Sequence, residues 1–253
     1  MKKILYFFKI ILHNHKYFKN IKKNTNKLIL VEYNRLSSSI ISYSYLSHIL
    51  SKKLDAKICA YRQTAKKSIV KDLIWIILSK IKFFNTFQIY KSFGTQNFYL
   101  PNNFSLKNKY QTKIYKIIKD IKNKNDLLDL SIDNIYVGDL FYDSYLMDFH
   151  KETINLEDPI FQNYLKDVLK NFFFWKDFFK KNDVRAVVTS HSVYTLAIPL
   201  RIAISKNILA FQCSAEHLYS LSKKNLYAYK EFLNYKIFFR FIFSLQSITP
   251  VYE

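Results

Sequence analysis

A histidine at the end of a short apolar run is the first feature of this chain able to move a proton. His191 follows the run from Val184 to Thr189 and the polar Ser190, which reads as a buried strand ending in a loop. A neutral imidazole is suited near pH 7 to take a proton from an attacking hydroxyl. Asp139 stands after Gly138 in a second stretch, IYVGDLFYDSYLMDF from Ile135 to Phe149. There it can cap a helix, touch a ligand hydroxyl or orient the histidine. Glu32, Tyr33, Asn34 and Arg35 end another apolar run, with Arg35 a candidate for an anionic or hydroxyl-bearing ligand. Arg201, beyond His191, can pair with Asp139 or Asp143 or meet a ligand phosphate. Glu216 and His217, in the loop from Gln212 to Ser222, are the weaker candidates for acid or base.

These residues need a scaffold that brings distant strand ends together. Asp183 to Gln212 reads as strand, loop, helix, strand, with a helix over Leu196 to Ile204 and a second strand from Ile208 to Phe211. Lys27 to Tyr33 and Ala56 to Tyr61 are strands on either side of a helix running to Lys53, capped by Ser37 or Ser38, with Ile41, Tyr45, Leu46, Ile49 and Leu50 facing inward. Two βαβ units predict an α/β fold, a Rossmann-like parallel sheet with helices on both faces. In such sheets the carboxyl ends of the strands face the ligand crevice, and His191, Glu32 and Gly138-Asp139 all fall at strand ends.

Composition narrows the chemistry. The chain has 253 residues, a net charge of +21 and 18% aromatic residues, enough length and apolar content for one large α/β domain or two small ones. The basic surplus suits a polyanion or an anionic membrane surface, and it equally suits a general bias towards Lys, Asn, Ile, Phe and Tyr, since Lys and Asn are spread along the chain. No nucleic-acid motif is present, and the aromatics follow core periodicity. Two glycines exclude a glycine-rich phosphate cradle. Cys59 and Cys213 make neither a disulfide framework nor a metal site, and no metal is expected.

Along the chain, residues 1–26 form a basic amphipathic segment. It has too few apolar residues to span a bilayer and lacks a signal-peptide cleavage site, and it is read either as a helix lying on an anionic membrane or as one packed on its own domain. Ser68 to Phe84 is a strongly apolar helix expected to pack on the sheet. Gly94 stops a helix, Phe98 to Leu100 is a short strand, and Leu106 to Asn123 is a helix with a Lys-rich outer face. Asn134 to Val137 is a strand before a helix whose N-cap is Asp139 and which carries Tyr142, Asp143 and Tyr145. Pro159 opens a long helix to Lys181, with Phe172 to Trp175 as core. Residues 27–223 form the main domain; 224–253 hold a helix from Lys224 to Leu245 and a tail.

The strings VEYN, VGDLFYDSYL and SHSVYTLAIPLRIAI resemble bacterial surface and capsule polysaccharide biosynthesis proteins of the GT-B glycosyltransferase type. Gly138, Asp139, Tyr142, Asp143, Tyr145, Ser190, His191, Tyr194 and Arg201 carry the resemblance, and Met147 stands where that pattern has an arginine. The resemblance implies the N-terminal, acceptor-side domain of a GT-B fold, with the second domain missing. It implies transfer of a sugar from a nucleotide-sugar donor, a substrate and not a tightly bound cofactor, to a saccharide acceptor. Catalysis would rest on His191 and Asp139. Substrate binding would rest on Glu32, Arg35, Gly138, Tyr142, Asp143, Tyr194, Arg201 and Glu216. The expected place is the cytoplasm, peripheral on the inner face of the membrane. The rival reading is a non-catalytic basic module on an anionic membrane surface or polyanion. Convergence of His191, Asp139 and Glu32 in one site favours the enzyme, and their dispersion favours the module.

Overall fold

A computed structural model describes residues 2–18, 23–34, 37–62, 69–81, 85–100, 110–214 and 217–227. The β-branched run KLILVE forms β1 (Lys27–Glu32), followed by α2 (Ser37–Leu54) and β2 (Lys57–Tyr61); α1 (Lys2–Tyr17) precedes them. Next come α3 (Ile69–Lys80), α4 (Thr86–Ser92) and β3 (Thr95–Tyr99), with Gly94 at φ +101° ending the α4 segment as expected. Then α5 (Gln111–Asp120), α6 (Lys124–Leu128), the hairpin β4 (Ser131–Ile132) and β5 (Ile135–Tyr136), and α7 (Gly138–Phe149) lead to α8 (Pro159–Lys181). The chain continues through β6 (Asp183–Thr189), a 3₁₀ turn (Thr195–Ala197), α9 (Ile198–Ser205), β7 (Leu209–Cys213) and β8 (Leu218–Leu221).

Six strands make one sheet in the order β3-β2-β1-β6-β7-β8, parallel except for the antiparallel β8. The α/β, Rossmann-like reading therefore holds. β1 lies beside both β2 and β6, so the connections leave it in opposite directions along the sheet. Its carboxyl end, next to that of β6, is the topological switch point where such sheets bind ligands.

Two cores sandwich the sheet. Ile29, Val31, Ala186 and Val188 face α1, α2 and α4, together with Phe7, Ile40, Tyr43 and Phe87. Leu30, Val184 and Val187 face the other way, into a core with Phe141, Phe172, Phe173, Trp175 and Ile202. Burial of each such side chain contributes about 1.5–3 kcal/mol, so the FFFW run of α8 is core, as its density implied. The two faces keep phase because β6 carries a bulge: Leu28 pairs with Val184 but Ile29 pairs with Ala186, leaving Arg185 over. If Arg185 were instead paired in regular alternation, Val184, Ala186 and Val188 would share one face.

Several expectations shift. Tyr45 and Ile49 of α2 are exposed, while Ile40, Tyr43, Ser44, Ser47, Leu50 and Ser51 are buried. The inward face is thus serine-rich, which lets the helix lie close on the sheet. On α3, Trp75 is buried against Tyr33, Phe87 and Phe98, but Leu73, Ile74, Ile76 and Ile77 are exposed, so this helix does not pack along its apolar length. The Gln212 to Ser222 loop contains β8. The helix expected from Leu106 is described only from Gln111, and the helix expected from Lys224 lies almost wholly outside the described residues. Cys59 and Cys213 are free and buried, which pushes their thiols up to about 12 and about 11. That marks inert packing residues.

Candidate active site

β1 delivers Glu32 to the switch point, where a carboxylate is poorly solvated and only 6% exposed. Its Oε2 accepts two hydrogen bonds from Ser190, one from the backbone N–H at 2.6 Å and one from Oγ at 2.7 Å. The Oγ of Ser190 is in turn 2.7 Å from Nδ1 of His191. An ionised carboxylate only accepts, so the Ser190 hydroxyl proton points to Glu32 and its oxygen is left to accept from His191. Nδ1 then carries the imidazole hydrogen, and Nε2 keeps its lone pair on an exposed ring. Burial raises the pKa of Glu32 above its ordinary 4.5, opposed by the two Ser190 hydrogen bonds and by the charge of His191.

The surroundings hold this chain of three in place. The Tyr90 hydroxyl donates to the carbonyl of Glu32 at 3.0 Å and accepts from the N–H of Asn34 at 2.9 Å, pinning the turn that leaves β1. Thr189 Oγ1 donates to the carbonyl of His191 at 3.0 Å, fixing the turn that leaves β6. From α2, the buried hydroxyl of Tyr43 reaches Ser39 and Ser190, and burial followed by the charge of Glu32 pushes its pKa up. Ser190 lies between acid and imidazole and is itself buried. A Ser-His-acid nucleophile needs the histidine in the middle and the serine exposed. What reaches solvent here is the imidazole, which can act as a base.

The second sequence motif is nearby in the chain's logic but makes a separate cluster. Asp139 is the second residue of α7, whose N-cap is Val137 without a side-chain cap, so the expected capping role is not observed. Its Oδ2 accepts from Arg201 Nη2 and from the Tyr227 hydroxyl, each at 2.6 Å. The Arg201 side chain is 2% exposed, donates to the carbonyl of Tyr136 at 3.2 Å, and lies over the rings of Tyr136 and Tyr227. Such a closed ion pair ties α7 to α9. One turn further along, Ser144 Oγ accepts from the N–H of Thr195 at 2.7 Å. The two stretches singled out in the sequence thus meet at two points, and both contacts are structural.

The remaining candidates fall as follows. Gly138 is required by close approach to the chain itself: a Cβ there would lie 2.0 Å from the Leu127 carbonyl oxygen and 2.4 Å from that of Leu128. Tyr142 is buried in the α7 core with Lys124 over its ring, while Asp143 is exposed, its pKa raised by partial burial and by Asp139. Tyr194 lies in the loop after His191 at φ 60° and ψ 177°, a conformation that only glycine adopts without strain. His217 is exposed in the β7–β8 turn, with its ring beside Tyr219. Arg35 and Glu216 lie outside the described residues.

Glu32 and His191 therefore converge, whereas Asp139 pairs elsewhere. Sequence reasoning underweighted Ser190, although its place between a strand end and a histidine was visible. It missed Tyr43, Tyr90 and Tyr227, whose roles depend on contacts far along the chain. A cavity of about 320 Å³ between α5 and α8, lined by Tyr115, Ile118, Lys122, Phe161 and Leu165 among others, shares no residue with this site. Among the described residues no three His, Cys, Asp or Glu side chains group as a metal centre, and no helix is long and apolar enough to cross a membrane. Comparison with protein families, curated proteins and solved structures finds no match to this chain.

Proposed function

We propose that this chain is a glycosyltransferase-like, acceptor-side domain in which His191 is the general base. It would take the proton from a saccharide hydroxyl as that hydroxyl attacks an activated sugar on a nucleotide. The observation that carries this reading is the Glu32–Ser190–His191 chain at the switch point of the sheet. As the imidazole gains a proton on Nε2, Glu32 stabilises the imidazolium through Ser190, with no proton needing to leave Nδ1. General-base assistance of this kind accounts for about 10²–10⁴ in rate.

Resemblance of the Gly138-Asp139 and Ser190-His191 motifs to capsule-type transferases supports the substrate class. Asp139, in this reading, positions α7 and α9 instead of touching the reacting atoms. Release of nucleotide from a panel of nucleotide-sugars, with and without oligosaccharide acceptors, tests the proposal. Transfer that falls by about 10²–10⁴ in folded His191→Ala supports it. Unchanged turnover in that variant removes His191 as the base. Absence of any sugar transfer, together with absence of saccharide binding by ligand-observed NMR, removes the substrate class.

A further inference from the structure

The charge of this chain is not evenly shared. Residues 1–119 contain 24 Lys and Arg but only Glu32, Asp55 and Asp72 as acids, a surplus of 21, whereas residues 120–253 contain 16 of each sign. Residues 1–100, which build α1 to α4, hold 19 of these bases and all three acids, a surplus of 16 of the 21, and one of the three acids is the buried Glu32.

Exposed apolar side chains sit in the same half. Of the 17 large hydrophobic residues exposed among the described residues, 12 lie between Leu5 and Ile81. On α3, Leu73 is 56% exposed and Ile77 49%, with Ile74, Ile76 and Ile81 beside them; on α1, Leu12 is 52% exposed, with Leu5, Tyr6 and Tyr17. Both helices are anchored to α4 by other faces. Asn14 of α1 donates to Ser92 Oγ at 2.9 Å, while Lys91 Nζ donates to the carbonyl of Ser79 at 2.8 Å and Gln88 Nε2 to that of Ile81 at 2.8 Å. Phe7 and Ile11 of α1 and Trp75 of α3 fill the core. Among the described residues, these apolar side chains are therefore left outside after α1 and α3 have packed on the core. Exposed Lys9 and Lys16 on α1 and Lys80 on α3 stand among them.

Apolar side chains interleaved with lysines, and almost no acids, match a surface whose interior is hydrocarbon and whose rim is anionic. A protein partner would more commonly meet a polar rim of mixed sign. We infer that the outer faces of α1 and α3 dock on an anionic lipid bilayer, lying on it without crossing it. Trp75 contacts Tyr33, the residue after Glu32, so this face is joined by direct packing to the turn carrying the candidate site. Docking does not rest on the transferase reading and can hold if that reading fails.

Co-sedimentation of the full chain with vesicles tests it. Binding is expected with phosphatidylcholine mixed with phosphatidylglycerol and not with phosphatidylcholine alone. It should fall as salt rises from about 0.1 M to about 1 M, which shortens the screening length from about 10 Å to about 3 Å. Each lysine near such a surface supplies roughly fivefold in binding, so Lys9→Glu with Lys16→Glu should lower partition by more than about tenfold. Ile74→Gln with Ile77→Gln, both exposed, should lower it similarly with the thermal unfolding curve unchanged. Equal binding to neutral vesicles overturns the charge component, and no binding to either overturns the proposal. Self-association that the Ile74→Gln, Ile77→Gln pair abolishes, without vesicle binding by the wild type, assigns the face to a second copy and also overturns it.

Discussion

Glu32 and Ser190 are 158 residues apart in the chain, and the carboxylate of one accepts both the N–H and the hydroxyl of the other. Their meeting turns an exposed histidine into one with a fixed hydrogen on Nδ1 and a free Nε2. Burial makes the carboxylate destabilising where it sits, and the proposed mechanism uses it from that same place.

That balance predicts the behaviour of Glu32→Gln. Burial raises the folded-state pKa of Glu32, so above the ordinary 4.5 the native chain holds a proton that the unfolded chain has lost. Stability then declines as pH rises through the window above 4.5, and below it the contribution vanishes because both states are protonated. The glutamine variant should lose this part of the pH slope and be at least as stable as wild type at neutral pH. Under the proposed transferase reading, transfer should also slow, by no more than the factor of about 10²–10⁴ that the base itself supplies. Denaturation at a series of pH values alongside turnover checks both, and a variant that unfolds more easily at neutral pH contradicts the argument.

Arg201 and Asp139 carry a different risk. Removing one partner of a buried ion pair leaves the other charge without compensation, at about 3–5 kcal/mol. Arg201→Met should approach that loss in urea unfolding, whereas Arg185→Ala, at an exposed pair with Asp183, should stay within about 0.5 kcal/mol. Similar values for the two would mean that the buried pair is not closed in solution.

Gly138 admits no side chain. A methyl group there collides with the carbonyls of Leu127 and Leu128, which end α6 and cannot swing away like a side-chain tip. Gly138→Ala should cost at least the ~1–3 kcal/mol of overpacking. Circular dichroism melting checks this, and an unchanged midpoint would show that α6 yields easily.

Tyr194 stores strain in the loop beside His191. Non-glycine residues at such angles cost about 1–3 kcal/mol, and glycine relieves the strain while loosening the unfolded chain by about 0.5–1 kcal/mol. Tyr194→Gly is therefore expected to be neutral or stabilising, with a raised KM if the ring borders the acceptor. Clear destabilisation would place the tyrosine among packing residues.

The sheet was legible because β1, β2, β6 and β7 are short apolar runs separated by helical periods, a pattern with few alternatives. β8 was not, since Leu218–Leu221 has no such run and forms by pairing with β7. The hairpin hid its first strand in two residues, Ser131 and Ile132, although the positive φ of Asp133 and Asn134 suits those turn residues. For helix α2 apolarity was only part of the guide: Ile41, Leu46 and Leu50 reach the core as expected, Tyr45 and Ile49 do not, and Ser44, Ser47 and Ser51 are buried in their stead. For the site, residue types at strand ends revealed Glu32 and His191. The pairing of Arg201 with Asp139, 62 residues away, was one of the readings the sequence offered and is the one observed, whereas no local signal could show that Tyr227, 88 residues from Asp139, joins them.

The extra residue at Arg185 has a reach beyond its own strand. Every side chain after it in β6 points opposite to where an unbroken alternation would send it, and the last of these lead into Ser190. Deletion of that single residue would leave Val184 and Ala186 on the partners and faces they have now, whereas drawing Arg185 into the pairing would shift the rest of the strand by one and turn its exit to the other face. The aim of the histidine is thus set six residues upstream, by a spacer that stays out of the pairing and whose own side chain faces water.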